Sequence, residues 1–278
     1  MSDTHGAGDG PGNGDVPGAT ATATVMFLRE LVRRWPTLVF MIFMPLSYFV
    51  VSYLTSDGTT RVPVDLAGAD TGSTVLDRDF KALYLAVLGV SVTSSFAALS
   101  SVLESPAAMR RLRLAGFGSG QLLAARVLVL GIITVVSTAV FVAVFAPLVH
   151  LVSLPQAAAS LLLVGLLGVS LGTVVGLLLP RLFEAAMVLI ALAGIQMALG
   201  RGGSDAERFL PYWPTVEALK RAVAGPAEAG GYLLLAIGYI VVSLVVAGAL
   251  FQRRTRVFQR RSGGFQQRRR LFQRRTHR

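Results

Sequence analysis

The sequence predicts an all-α fold: a polytopic membrane protein of six transmembrane helices, led by an N-terminal interfacial helix, with both termini cytoplasmic. Three observations carry this. Of the 278 residues, 53% are hydrophobic and only 15% charged, where soluble domains carry about a quarter charged residues. No Asp, Glu, Lys or Arg lies between Arg126 and Arg181, a run too long for one span and sufficient for a hairpin of two. Six apolar segments are long enough to cross about 30 Å of hydrocarbon.

The elements follow in order. Residues 1–24, rich in Gly, Asp, Thr and Pro, have no basic start and no apolar run. They are neither a signal peptide nor a folding unit, and a disordered cytoplasmic lead is expected there. The six-span domain covers residues 25–251. It opens on VMFLRELVRRW, where Leu28, Leu31, Val32 and Trp35 recur at i, i+3, i+4 and i+7, with Arg29, Glu30, Arg33 and Arg34 off that stripe. Such a helix should lie flat on the inner interface, with Glu30 and Arg34 paired at i, i+4.

Spans are expected near 36–54, 82–103, 127–152, 157–179, 183–200 and 231–251. Pro45, Pro147 and Pro180 should kink or end their helices, since each lacks an amide donor. The fifth span is short and holds Gln196. Between the second and third, Ser105 can cap and Pro106 open a short helix that Gly116 ends, and Ser119 can start the next. In the fourth, Gly168, Gly172 and Gly176 stand four residues apart, with Ser160 and Val164 on the same stripe. A second helix, of this chain or another, can approach closely there.

From Phe251 the chain repeats every seven residues, FQRRTRV, FQRRSGG, FQQRRRL, FQRRTHR, and residues 252–278 form an Arg/Phe heptad tail. Its eleven arginines equal the whole net charge of +11. One strong apolar position per heptad, with Gly263 and Gly264, argues against a coiled coil. Beside a sixth span, Arg253, Arg254, Arg260 and Arg261 would anchor the chain to anionic lipids and fix topology, each gaining about 1 kcal/mol at an anionic leaflet. With both ends inside, nineteen basic residues lie inside and seven outside, as the positive-inside rule requires.

Several chemistries are disfavoured. There is no cysteine for disulfides or thiolate metal sites, and no metal ligand set stands out. Lys81 and Lys220 are the only lysines, and neither completes a phosphate-binding G-x-x-x-x-G-K-[ST] loop, so ATP would have to be hydrolysed by another polypeptide. Gly168-Val169-Ser170-Leu171-Gly172 matches G-x-S-x-G. A nucleophile elbow needs a strand-to-helix turn and a base, and His5, His150 and His277 all lie away from the span interiors. An intramembrane serine protease is therefore a minor alternative, and no catalytic residue is assigned. Glu104, Arg181 and Glu184 fall at span ends, which disfavours proton-coupled transport. Nothing resembles a folded nucleic-acid-binding module.

Taken together, the segments resemble the membrane subunit of ABC type-2 exporters, over roughly residues 25–255. The likeness rests on FLRELVRRWPTLVF leading into the first span, on the loop ESPAAMRRLRLAGFGSGQLLAARVLVLG, and on FLPYWPTVEALKRAV before the sixth span. ESPAAM stands where the family often has an acidic-Gly-Thr run, and the heptads have no counterpart. The resemblance implies a permease whose partners are a separate ABC ATPase subunit, carrying the ATP and Mg that this chain does not bind, and a second permease copy. It implies that Arg110, Arg111, Leu112 and Arg113 form the ATPase-coupling loop. Phe209, Leu210, Pro211, Tyr212, Trp213 and Pro214 would form an outer interfacial element or gate, where Phe209, Tyr212 and Trp213 suit an interface. The location implied is the cell membrane. A binding or shielding protein on a similar bundle, such as an immunity or assembly factor, is the alternative.

Overall fold

The computed structural model describes residues 19–33, 35–64, 66, 73–104, 117, 119–200, 205–225 and 229–275. The described residues are almost wholly helical. Helix α1 is Ala19–Arg33 and α2 is Trp35–Thr55; a hairpin of β1 (Arg61–Val64) and β2 (Ser73–Leu76) follows. Then come α3 (Asp77–Glu104), α4 (Ser119–Leu148), α5 (Leu154–Leu178) and α6 (Leu182–Gly200). A 3-10 turn, Asp205–Phe209, precedes α7 (Trp213–Ala224), and α8 runs from Gly230 to Arg275.

Four helices are long and apolar enough to cross a membrane, over Asp77–Leu103, Gly120–Leu148, Leu154–Leu178 and Gly230–Arg253. The other two expected spans contribute shorter apolar stretches, Val39–Thr55 and Leu182–Gln196. At 1.5 Å per residue these reach about 26 and 22 Å, less than the hydrocarbon thickness of about 30 Å. The architecture is that of a helical membrane-embedded protein. The prolines act as their chemistry requires: α4 ends one residue after Pro147, and α5 stops just before Pro180.

Helix α3 is the centre. It packs on α2, α4, α5, α6 and α7. It runs parallel to α5, and the glycine stripe of α5 is the contact. A Cβ on Gly168 would lie 2.8 Å from the Ser91 carbonyl oxygen, one on Gly172 would collide with the Ser95 carbonyl, and one on Gly176 would meet Leu99 and Val102 at 3.2 Å. The partner of the stripe is therefore inside the same chain. Small residues on both helices let backbone approach backbone, where dispersion contacts replace the hydrophobic effect that lipid does not supply.

Proline inside α2 has a partner arrangement of its own. Pro45 has no amide to offer the carbonyl of Met41, four residues earlier. The Thr93 hydroxyl of α3 donates to that carbonyl at 3.0 Å. A backbone oxygen left without its intrahelical donor is thus satisfied by a neighbouring helix. Around the same proline the Phe141 ring of α4 lies 2.6 Å from where a Gly89 Cβ would sit, with Pro45 at 3.4 Å. Phe49 and Phe145 continue this contact at 6.0 Å between ring centroids.

Helix α1 starts at Ala19, inside the stretch expected to be a disordered lead. ATATAT supplies alanines that favour helix, and Ala23 and Phe27 are buried with Leu122, Ala125 and Val129 of α4. The Arg126 guanidinium lies 5.6 Å from the Phe27 ring centroid. The face turned to the bundle is thus set by Ala23 and Phe27, with Leu28 of the stripe read from sequence packed beside them, whereas Val32 of that stripe is exposed. At the opposite end, called here the hairpin end, β1 pairs antiparallel with β2, Arg61 opposite Leu76 and Val64 opposite Ser73. Asp57 opens that excursion; its carboxylate accepts from the Thr59 amide and from the Thr59 and Thr60 hydroxyls. These bonds hold its pKa below the usual carboxylate range.

Candidate functional site

The segment between α6 and α8 turns back into the bundle. Pro214 sits in the first turn of α7, where a missing amide costs nothing. The helix ends at Gly225, whose φ of 148° favours glycine. At that end the amides of Val152 and Ser153, in the turn between α4 and α5, donate to the Ala222 carbonyl at 2.9 and 3.3 Å. One turn earlier the Gln156 side-chain amide donates to the Ala218 carbonyl at 2.9 Å. At the other end of α7 the buried Tyr212 hydroxyl shares a hydrogen bond with Ser91, and burial pushes its pKa far above the usual range. Ser91 lies about 21 Å along α3 from its first residue, at 1.5 Å per residue, and level with Gly168. Helix α7 therefore rises from well inside the bundle to the hairpin end.

Every residue from Pro214 to Val223 is buried, including Glu217, Lys220 and Arg221. The Lys220 ammonium lies 3.3 Å from Glu207, on the 3-10 turn, and 3.6 Å from Glu217. The Arg221 guanidinium lies 3.6 Å from Glu217. It also donates to the Tyr232 hydroxyl of α8 at 3.2 Å, and sits 4.5 Å from that ring's centroid. Trp213 meets the same ring edge-on at 5.4 Å. Two acids and two bases thus form a neutral, buried quartet joining the 3-10 turn, α7 and α8. Such a quartet adds little net stability over an apolar core, but losing one member leaves a buried charge uncompensated. Its chemical capacity is to fix the position of α7.

This cluster corrects part of the sequence reading. Tyr212 and Pro214 are buried, Leu210, Pro211 and Trp213 are half-buried, and only Phe209 is strongly exposed, at 87%. Of the three aromatics expected at an interface, Tyr212 instead fills the core, because its ring packs among α3 and α5 while its hydroxyl finds Ser91. Glu207, Glu217, Lys220 and Arg221 were not singled out. Their signal was the i, i+3, i+4 spacing of Glu217, Lys220 and Arg221 in a polar twelve-residue stretch between two apolar ones. The quartet lies near the hairpin end, since Ala218 and Ala222 sit beside Gln156 and Val152.

The remaining predicted residues divide as follows. Gly168, Gly172 and Gly176 lie together on the α5 face turned to α3. Arg110, Arg111, Leu112 and Arg113 lie outside the described residues. Arg253 is exposed on α8; Arg254, Arg260 and Arg261 fall on the same helix, with side chains outside the described set. The Ser170 hydroxyl donates to the Leu167 carbonyl of its own helix at 2.8 Å. Among the described residues no group of three or more His, Asp or Glu could hold a metal.

No protein-family model matches the chain, and no curated protein is similar enough to count as a match.

Proposed function

We propose that the chain is the membrane-spanning permease subunit of an ATP-driven ABC type-2 exporter, with six spans, both termini cytoplasmic, and the hairpin end outside the cell membrane. The observation that carries this reading is α7, a re-entrant helix held across one end of the bundle by the buried quartet. It is an element suited to closing a pathway at that end.

In this reading a separate ATPase, with its own ATP and Mg, acts through the loop holding Arg110, Arg111, Leu112 and Arg113. That loop joins α3 to α4, and α3 carries Ser91 against Tyr212. Motion imposed at the loop thus passes along α3 to Ser91 and, through its hydrogen bond with Tyr212, to the base of α7. A second copy of the chain completes the pathway, and the arginine tail from Arg253 holds the inner leaflet through anionic lipids.

The test is co-purification with a P-loop ATPase, followed by transport in vesicles of the triple variant Arg110→Glu, Arg111→Glu, Arg113→Glu. The reading expects the ATPase to bind wild type, and transport by the triple variant to fall at least tenfold. Retained transport would remove the coupling role. Absence of any bound ATPase would favour a binding or shielding protein instead.

A further inference from the structure

Ten buried serine and threonine hydroxyls lie on α3, α4 and α5. Six of them, on Ser91, Ser95, Thr134, Ser160, Ser170 and Thr173, donate to a carbonyl of their own helix. Thr93 donates across to Met41. The other three, Ser94, Ser137 and Thr138, make no hydrogen bond to the protein.

These three are not scattered. Ser94 Oγ lies 3.1 Å from where a Gly165 Cβ would sit, and the Thr134 methyl is closer still. So α3 and α4 meet there beside α5. Ser137 and Thr138 follow Thr134 by three and four residues, which sets them on the same face of α4. One turn further along that face Phe141 lies against Gly89 of α3. Between these two contacts, Ser137 and Thr138 look toward α3. A buried hydroxyl with no partner is costly, and a polar site with several such groups is where water enters. The α3–α5 seam differs. Apart from Ser94, which stands where all three helices meet, its buried hydroxyls Ser91, Ser95, Ser160, Ser170 and Thr173 bond to their own helices, and its glycines leave no space.

We infer that the seam between α3 and α4 opens to water within the membrane, forming a hydrated, uncharged site lined by Ser94, Ser137 and Thr138 for neutral hydrogen-bonding groups. The inference does not need the permease reading, and its test uses neither ATPase nor cargo.

The chain has no cysteine, so single substitutions report cleanly. The full chain is placed in lipid vesicles as Ser94→Cys, Ser137→Cys or Thr138→Cys, beside the equally buried controls Ser160→Cys and Ser170→Cys. Each is treated with a charged trimethylammonium methanethiosulfonate, which reacts with the thiolate that forms in water. The seam positions are expected to react at least tenfold faster than the controls. Equal rates in both sets overturn the inference, as does no reaction at the seam while exposed Thr59→Cys is fully modified. Thr138→Val gives a second reading: removing a dry, unpaired hydroxyl would raise the melting temperature and overturn the inference, whereas at a hydrated site the temperature stays or falls.

Discussion

Thr93 is a side chain whose role is set by a proline 48 residues earlier in the chain. Its hydroxyl takes the place of the amide that Pro45 lacks, so the two residues are energetically coupled although they do not bond. Thr93→Val leaves the Met41 carbonyl without a donor and should lower stability by about 1–3 kcal/mol. In a Pro45→Ala background the helix supplies its own amide, and the same change should cost much less. A double-mutant cycle by detergent unfolding measures this coupling; equal costs in both backgrounds would refute it. Lys220 has the opposite kind of dependence, on charge. Lys220→Met removes the ammonium that lies between the buried Glu207 and Glu217 carboxylates, and should destabilise by about 3–5 kcal/mol. Adding Glu207→Gln removes the stranded charge and should recover part of that loss in the same unfolding assay. Sequence alone did not reveal either relation, because both join residues from separate elements.

Among the elements, α5 was the most legible, and only in part. A glycine every fourth residue states that something comes close. The identity of the neighbour was hidden, since Ser91 and Ser95 on α3 also occur in an ordinary span. Gly172→Ala tests the contact directly, with Gly194→Ala as control, because a Cβ at Gly194 would meet nothing within 4 Å. The first should destabilise by about 1–3 kcal/mol, since a backbone carbonyl cannot step aside. The second should be neutral or stabilising by up to about 1 kcal/mol, since alanine favours helix over glycine. Thermal unfolding ranks the two. Helix α1 was legible as amphipathic, but its packed face only in part: Leu28 of the predicted stripe does pack, while tertiary contact with α4 centres the face on Ala23 and Phe27 and leaves Val32 outside it. The stretch leading into α7, Phe209 to Pro214, was read as an outer interfacial element or gate from the resemblance and its aromatics; pairing among Glu207, Glu217, Lys220 and Arg221 is what lets α7 itself go inside.

For the whole molecule, composition and the uncharged run from Arg126 to Arg181 were enough to give a helical membrane protein. The span count is harder, because α2 and α6 have apolar stretches of marginal length and many of their apolar side chains face outward. Six spans place Thr59 and His150 on one side and Arg181 and Arg253 on the other. Single cysteines at these four positions, treated with an impermeant maleimide in right-side-out vesicles, should label at 59 and 150 and stay unlabelled at 181 and 253. Labelling at 253 would reverse the orientation, and a split between 59 and 150 would reduce the number of crossings.

The parallel contact of α3 with α5 limits how this architecture can rearrange. Two rods that meet backbone to backbone have no cushion of long side chains to slip over, so shear between them is blocked in both directions. They must travel as one keel, and whatever hinges in the molecule has to swing about that keel's edges.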